Sequence, residues 1–252
     1  MEKDKDILST LNKAFDLLDV FEYGEPYMSL ESLSAATGFP KPTVFRIVHT
    51  LISRGLMTQD PQTKKYGIGF GIMKYGRMVS SSTNLIAKCE PLMQHICDEI
   101  GEMVVLSVRD NAGYSICLHV IKNDQFIQFA HRVGQRKHLY AGSVGRCILA
   151  FSSEKFVSDY LDRTPLEQLA SGTITTREHL MAEIARTRRD GVCISESEVN
   201  ENTKSISVPL LDRNGDLVAC MSLASLQKSR DQLYNQQAIA LLTEAAEQFL
   251  QL

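Results

Sequence analysis

Apolar positions recur along this chain with two periods, and the change of period divides it. From Ile7 to Tyr23, the residues Ile7, Leu8, Leu11, Ala14, Phe15, Leu18 and Phe21 fall three and four apart, with Asp16, Asp19 and Glu22 between them, which predicts an amphipathic helix. Gly24 and Pro26 supply a turn. Leu30, Leu33 and Ala36 mark one face of a short second helix behind Ser29, whose hydroxyl suits an N-cap. Gly38 closes that helix by taking the left-handed conformation, and Pro40 disfavours helical geometry at Phe39. Pro42 fits the first turn of a third helix, whose inward face is Val44, Ile47, Val48 and Leu51. After Gly55 the stretch LMTQDPQTKKYGIG alternates weakly about the turn cluster Asp60-Pro61-Gln62-Thr63 and reads as a hairpin.

Residues 70–79 form a connecting helix, weakened by Gly71 and Gly76 by about 1 kcal/mol each relative to alanine. The run from Ser80 to Asn84 is the best domain boundary. This divides the chain into 1–69, 70–84 and 85–252. The last part mixes both periods. Helices are expected over Leu85–Ile100, Ser143–Ala150, Thr176–Arg189 and Asp231–Leu252, the third with Leu180, Met181, Ile184 and Ala185 inward, the fourth with Leu233, Ile239, Leu242, Ala246 and Phe249 on one face. Strands are expected over 103–109, 115–121, 126–133, 192–195, 205–211 and 217–224, with the polar stretch GQRKH as a loop. The fold class is α+β, ending in an antiparallel sheet flanked by helices, an architecture common among small-molecule sensing domains.

Two helices joined by a short glycine-containing turn make a helix-turn-helix, and a hairpin behind the second helix makes a wing. The outward face of that helix carries Lys41, Thr43, Phe45, Arg46 and His49, and the hairpin tip and returning strand carry Lys64 and Lys65, placed for phosphate oxygens. Two packed helices of an ordinary bundle, with lysines that serve solubility, are the plainer reading. Charge argues against it: from Gly38 to Met78, seven basic residues face Asp60 alone, about +6, while the residues before sum to about −5 and those after to about −4. A basic island in an acidic chain is the footprint of one face meeting a polyanion.

The 252 residues are 44% hydrophobic, enough for a sizeable core, and no run reaches the length of a membrane-spanning helix. The charged start MEKDKD is unlike a signal peptide, so the chain is expected in the cytoplasm, with no membrane partner. Six cysteines show no CxxC pair and sit in apolar patterns, as reduced core thiols do, and the histidines show no paired ligand spacing, so no metal is expected. No GxSxG, HExxH or GxGxxG is present, and no cofactor or catalysis is implied. The junction YAGSVGRCILA combines small residues at Ala141, Gly142, Ser143 and Gly145 with a helix start, which makes an anion site reinforced by Arg136, Lys137 and His138, or else simply permits tight packing of helix on sheet.

The segments LSAATGFPKPTVFRIVHTLISRGLM with KKYGIG, VGQRKHLYAGSVGRCILAF, and TITTREHLMAEIARTRRDGVCISESEVNENTKSISVPLLDRNGDLVACMSLAS occur in an order and spacing that resemble the bacterial isocitrate lyase regulator (IclR) family of transcription factors over nearly the whole chain. The resemblance implies a winged helix-turn-helix domain, a linker helix used in dimerisation and a GAF-like effector-binding domain for a small metabolite. It implies a homodimer, with pairing into tetramers left open, on a roughly palindromic operator in double-stranded DNA. The DNA-reading helix falls on Lys41–Thr50, with Ser29, Lys41, Thr43, Phe45, Arg46, His49, Lys64 and Lys65 as contacts. Pro42 stands where many members have serine, so a hydroxyl contact is lost. The effector pocket maps onto Phe126, Lys137, Ser143, Val144, Glu196, Ser205, Ser222 and Ala224. Lys137 stands where an apolar residue is usual, Arg146 replaces the lysine of a glycine-lysine motif, and Ala224 replaces a frequent serine. The expected effector is anionic, a sugar acid or other small carboxylate. A winged-helix module that contacts protein rather than DNA is the alternative.

Overall fold

The computed structural model describes residues 8–22, 24–122, 131–226 and 232–251. They form two compact units, Met1–Thr83 and Asn84–Leu252.

In the first unit, α1 (Ser9–Asp19), α2 (Leu30–Thr37) and α3 (Lys41–Ser53) surround Leu17, Leu33, Val44, Ile47, Val48 and Leu51. The four inward positions expected of α3 are all buried. Ser29 caps α2 by accepting the Ser32 N–H at 3.1 Å, and Gly38 closes it at φ 69°. Strands β1 (Tyr27–Met28), β2 (Met57–Gln59) and β3 (Tyr66–Ile68) form an antiparallel sheet in the order β1-β3-β2. The hairpin turn is held by Asp60, whose Oδ1 accepts from the backbone of Gln62 and Thr63 and from the Thr63 hydroxyl.

Three expectations change in this unit. The first helix buries Leu17, while Leu8, Leu11 and Phe15 stay exposed; Ala36 is exposed too. Ile7 and Tyr23 lie outside the described residues. The connecting helix opens with a 3₁₀ turn at Phe70–Ile72 and continues as α4 (Met73–Thr83) past its expected end at Val79, while the division between the units falls after Thr83, inside the expected boundary run. The break comes at Asn84, which takes a left-handed conformation at φ 48° and makes no side-chain cap.

The second unit is built on a six-stranded antiparallel sheet. In chain order its strands are β4 (Met103–Arg109), β5 (Tyr114–Ile121), β6 (Arg136–His138), β7 (Cys193–Glu196), β8 (Thr203–Leu211) and β9 (Leu217–Leu226), arranged β6-β5-β4-β9-β8-β7. Alternation sorts the two faces. Val104, Leu106, Ile206, Val208, Met221 and Leu223 pack against α5 (Leu85–Ile100) and α9 (Gln232–Gln251). The opposite face carries α6 (Gly142–Ala150), with α7 (Glu154–Arg163) and α8 (Arg177–Asp190) beyond it in a second cluster around Leu149, Tyr160, Ile184, Cys193 and Cys220. All six cysteines are buried and free.

The third strand expected at 126–133 falls mostly outside the described residues, and His131–Val133 is not strand; the strand beside β5 is β6, inside the stretch expected to be a polar loop. An edge strand pairs on one side only and tolerates charged residues. Helix α7 is an addition to the expected elements, with Ser153 as its cap. Met181, Ala185 and Leu233, expected inward, are exposed.

Candidate functional site

In the first unit, α3 turns its outward residues to solvent because its inward face is fully spent on the core. Phe45 is 45% exposed and its ring lies 4.2 Å from that of His49; Arg46 is exposed and pairs with no carboxylate among the described residues. Thr43 is half-buried. Lys41 pairs with Glu31 at 2.9 Å, and Lys65 pairs loosely with Glu25 at 3.8 Å. Lys64 sits in the turn at φ 59°, its carbonyl accepting from the Gln59 amide. The Ser29 hydroxyl is committed to its cap and to Ser32. The result is an outward aromatic and cationic ridge, with lysines on the neighbouring hairpin.

In the second unit, a cavity of about 70 Å³ lies between the sheet and the start of α6. The register explains its walls. Ser115 pairs with Lys137, Ser107 with Cys117 and Ser205 with Ala224, so each pair points to the same face. Of the residues mapped onto the pocket, Lys137, Ser143, Val144, Ser205 and Ala224 border it. Glu196 does not. It alternates with Ser195 and pairs at 2.7 Å with Lys204, which borders the cavity but alternates with Ser205. Ser222 is also absent from the walls; it is buried in mid-sheet with its hydroxyl 3.4 Å from the Val105 carbonyl. Phe126 lies outside the described residues. The mapping missed Ser107, Ser115, His131, Gln135 and Asn200. The legible signal was serine at inward positions of otherwise apolar strands.

The start of α6 differs from the expected open anion site. The Gly142 N–H donates to the Glu198 carboxylate at 2.9 Å and the Ser143 N–H to the Ser195 hydroxyl at 3.0 Å. The chain thus provides its own anion at this helix end. Glu198 also binds Arg146, whose guanidinium donates to the Ile194 carbonyl at 2.6 Å. Gly145 permits the close packing: a Cβ there would lie 2.4 Å from the Leu139 carbonyl oxygen. Of the reinforcing cations, Arg136 is bound to Asp110 and stacks on Tyr114, and His138 lies between the rings of Tyr114 and Tyr140.

Lys137 remains. Its ammonium lies 3.4 Å from His131 Nδ1 and pairs with no carboxylate among the described residues. Burial lowers its pKa from the ordinary lysine value. Burial, with the charges of Lys137 and Lys122, pushes His131 down to about 3, so its imidazole is neutral and can accept. Burial pushes the Cys117 thiol up to about 11. The cavity therefore presents hydroxyls, a neutral imidazole and a neutral thiol around one uncompensated cation. Among the described residues no group of His, Cys, Asp and Glu is arranged to hold a metal ion, and no helix is long and apolar enough to cross a membrane.

Comparison with known proteins gives matches for both units. The IclR helix-turn-helix domain model matches residues 10–61, and the model of the bacterial transcriptional regulator IclR C-terminal region matches 77–250. The chain is 30% identical over 218 residues to the HTH-type transcriptional regulator KipR of Bacillus subtilis, covering 86% of each. It is 26% identical over 222 residues to the Pca regulon regulatory protein of Pseudomonas putida, covering 88% of this chain and 76% of the relative. Among solved structures, an IclR transcriptional regulator from Alicyclobacillus acidocaldarius superposes with a TM-score of 0.84 at 20% identity, covering 96% of this chain and 98% of the other. An IclR homolog from Microbacterium hydrocarbonoxydans, complexed with 4-hydroxybenzoate, gives 0.82 at 19% identity with the same coverage.

Proposed function

The chain belongs to the IclR family of bacterial DNA-binding transcriptional regulators, and from that premise we propose how this member works. Residues 1–69 bind DNA, 70–84 link, and 85–252 bind the effector. Two copies place their α3 helices in successive major grooves of a roughly palindromic operator in the cytoplasm. Arg46 forks onto a guanine, Phe45 meets a thymine methyl, and Lys41, Thr43, His49, Lys64, Lys65 and Ser29 at the start of α2 hold the backbone. The effector is a small carboxylate in the cavity of the second unit, and its binding favours one arrangement of the dimer over another, which changes operator affinity.

The observation that carries the ligand class is Lys137, a half-buried ammonium on the cavity wall with no carboxylate partner among the described residues. Burying a charge is costly unless it is paired, so the site is completed by an anion from outside.

Fluorescence anisotropy on DNA from upstream of the protein's own gene, against random DNA, tests the first half. Specific binding is expected to weaken steeply with salt, as released counterions require, and Arg46→Ala to cost about tenfold on the operator while leaving random-DNA binding nearly unchanged. Equal affinity for both DNAs with no effect of Arg46→Ala would count against a reading helix. For the second half, Lys137→Met is expected to weaken carboxylate binding by about 10- to 100-fold, the worth of a charge-assisted hydrogen bond, in calorimetric titration. Unchanged affinity would remove Lys137 from the site.

A further inference from the structure

Besides a negative charge, the cavity makes a second chemical demand. Gln135 borders the same space, and its Oε1 is buried with no hydrogen-bond donor among the described residues. The residue is anchored by its backbone: its N–H donates to the Arg132 carbonyl and its C=O accepts from the Cys117 N–H, both at 3.0 Å. The hydroxyls of Ser143, Ser205 and Ser115 on the cavity wall are already engaged. Ser143 lies 2.6 Å from both Ser205 and Ser207, and Ser115 donates to the Lys137 carbonyl. A buried acceptor without a donor is the exception in folded proteins, and on a residue that borders a ligand cavity it points to a donor on the ligand.

A carboxylate cannot supply that donor, and neither can a keto group, since both only accept. Hydroxyl and ammonium groups remain. An ammonium would sit beside Lys137, two residues along the chain on the same wall and uncompensated by any described carboxylate, and like charges in a buried space repel strongly. We propose that the ligand is a compact hydroxy acid, its carboxylate on Lys137 and its hydroxyl donating to Gln135 Oε1, and that the site selects it over the oxo acid and the amino acid of the same carbon skeleton. The hydroxyl assignment rests on the cavity being a carboxylate site.

Isothermal titration of the full-length protein with matched triads tests this: glycolate, glyoxylate and glycine; lactate, pyruvate and alanine; malate, oxaloacetate and aspartate. The hydroxy acid of at least one triad should bind about tenfold tighter or more than its oxo partner, because the oxo acid leaves Gln135 unpaired, and the amino acid should bind weakest. Gln135→Met, checked for an unchanged unfolding midpoint, should erase the preference while retaining affinity for the oxo acid. If the oxo acid binds as well as or better than the hydroxy acid, as it would were the amide nitrogen the inward atom, and Lys137→Met still abolishes both, the hydroxyl proposal falls while the carboxylate site stands. If no member of any triad binds, or Lys137→Met binds them all as tightly as the natural chain does, the carboxylate reading falls and the proposal with it.

Discussion

Glu198→Ala is expected to lower the unfolding free energy by about 3–5 kcal/mol, a large loss for a single substitution. Arg146 is 1% exposed and Glu198 6%. The carboxylate serves two partners, the guanidinium and the Gly142 N–H at the head of α6. Its loss leaves a charge buried with the Ile194 carbonyl as its remaining acceptor and a helix end without its counter-charge. Glu198→Gln should cost less, because an amide oxygen still accepts from Gly142. The cost is one of breaking the pair rather than the pair's net worth, so Arg146→Met combined with Glu198→Ala should recover most of it. Urea midpoints of the natural chain, the two single variants and the double variant make the cycle, and a Glu198→Ala variant within about 1 kcal/mol of the natural chain would mean that Arg146 reaches water when abandoned.

Acidification should weaken the second unit through His131. Its folded pKa is about 3 against 6.5 for an ordinary histidine, so between those values the unfolded chain holds a proton that the folded chain lacks. Stability contributed by this group is complete above pH 6.5 and falls as pH drops through that window. The loss is on the order of 3 kcal/mol by about pH 4, from about 1.36 kcal/mol per pH unit. Denaturation at a series of pH values, with His131→Gln as the reference, reads it as a progressive fall of the natural chain relative to the variant on acidification. Parallel curves would show that His131 takes up its proton freely in the folded protein. The exposed carboxylates whose pKa values are lowered, such as Asp60 and Asp212, titrate in both proteins and cancel.

The elements with one strong reason to exist are the legible ones. Helix α3 has a single apolar face, bounded by Pro42 and Arg54, and its four inward residues are those the spacing names. Helix α1 is harder to read in detail because its apolar residues cover more than half the circumference, and packing chooses Leu17 over Leu8, Leu11 and Phe15. Strand β6 is RKH, with no apolar residue to mark it, and exists because β5 offers an edge to pair with. The cavity is half legible. The resemblance places Lys137, Ser143 and Ser205, but Glu196 drops out on strand alternation, which no local motif displays, and Ser222, on the same face as Ala224, lies buried farther along the sheet than the cavity reaches. Glu198 is invisible in the sequence as the occupant of the α6 terminus because it lies 52 residues from its partner Arg146.

The placement of Lys137 bears on how such a protein can change. The lysine stands on the outermost of the described strands, joined to the sheet by three residue pairs and outside the hydrophobic clusters. If Lys137 holds the effector as proposed, a substitution there would exchange the kind of molecule sensed while disturbing few packed neighbours, so signals could be swapped at the rim of the sheet with small loss of stability. The Arg146–Glu198 pair offers no such freedom: either partner changed alone strands the other. New inputs should therefore arise in a lineage by drift along this edge, while the buried pair changes only in coordinated steps.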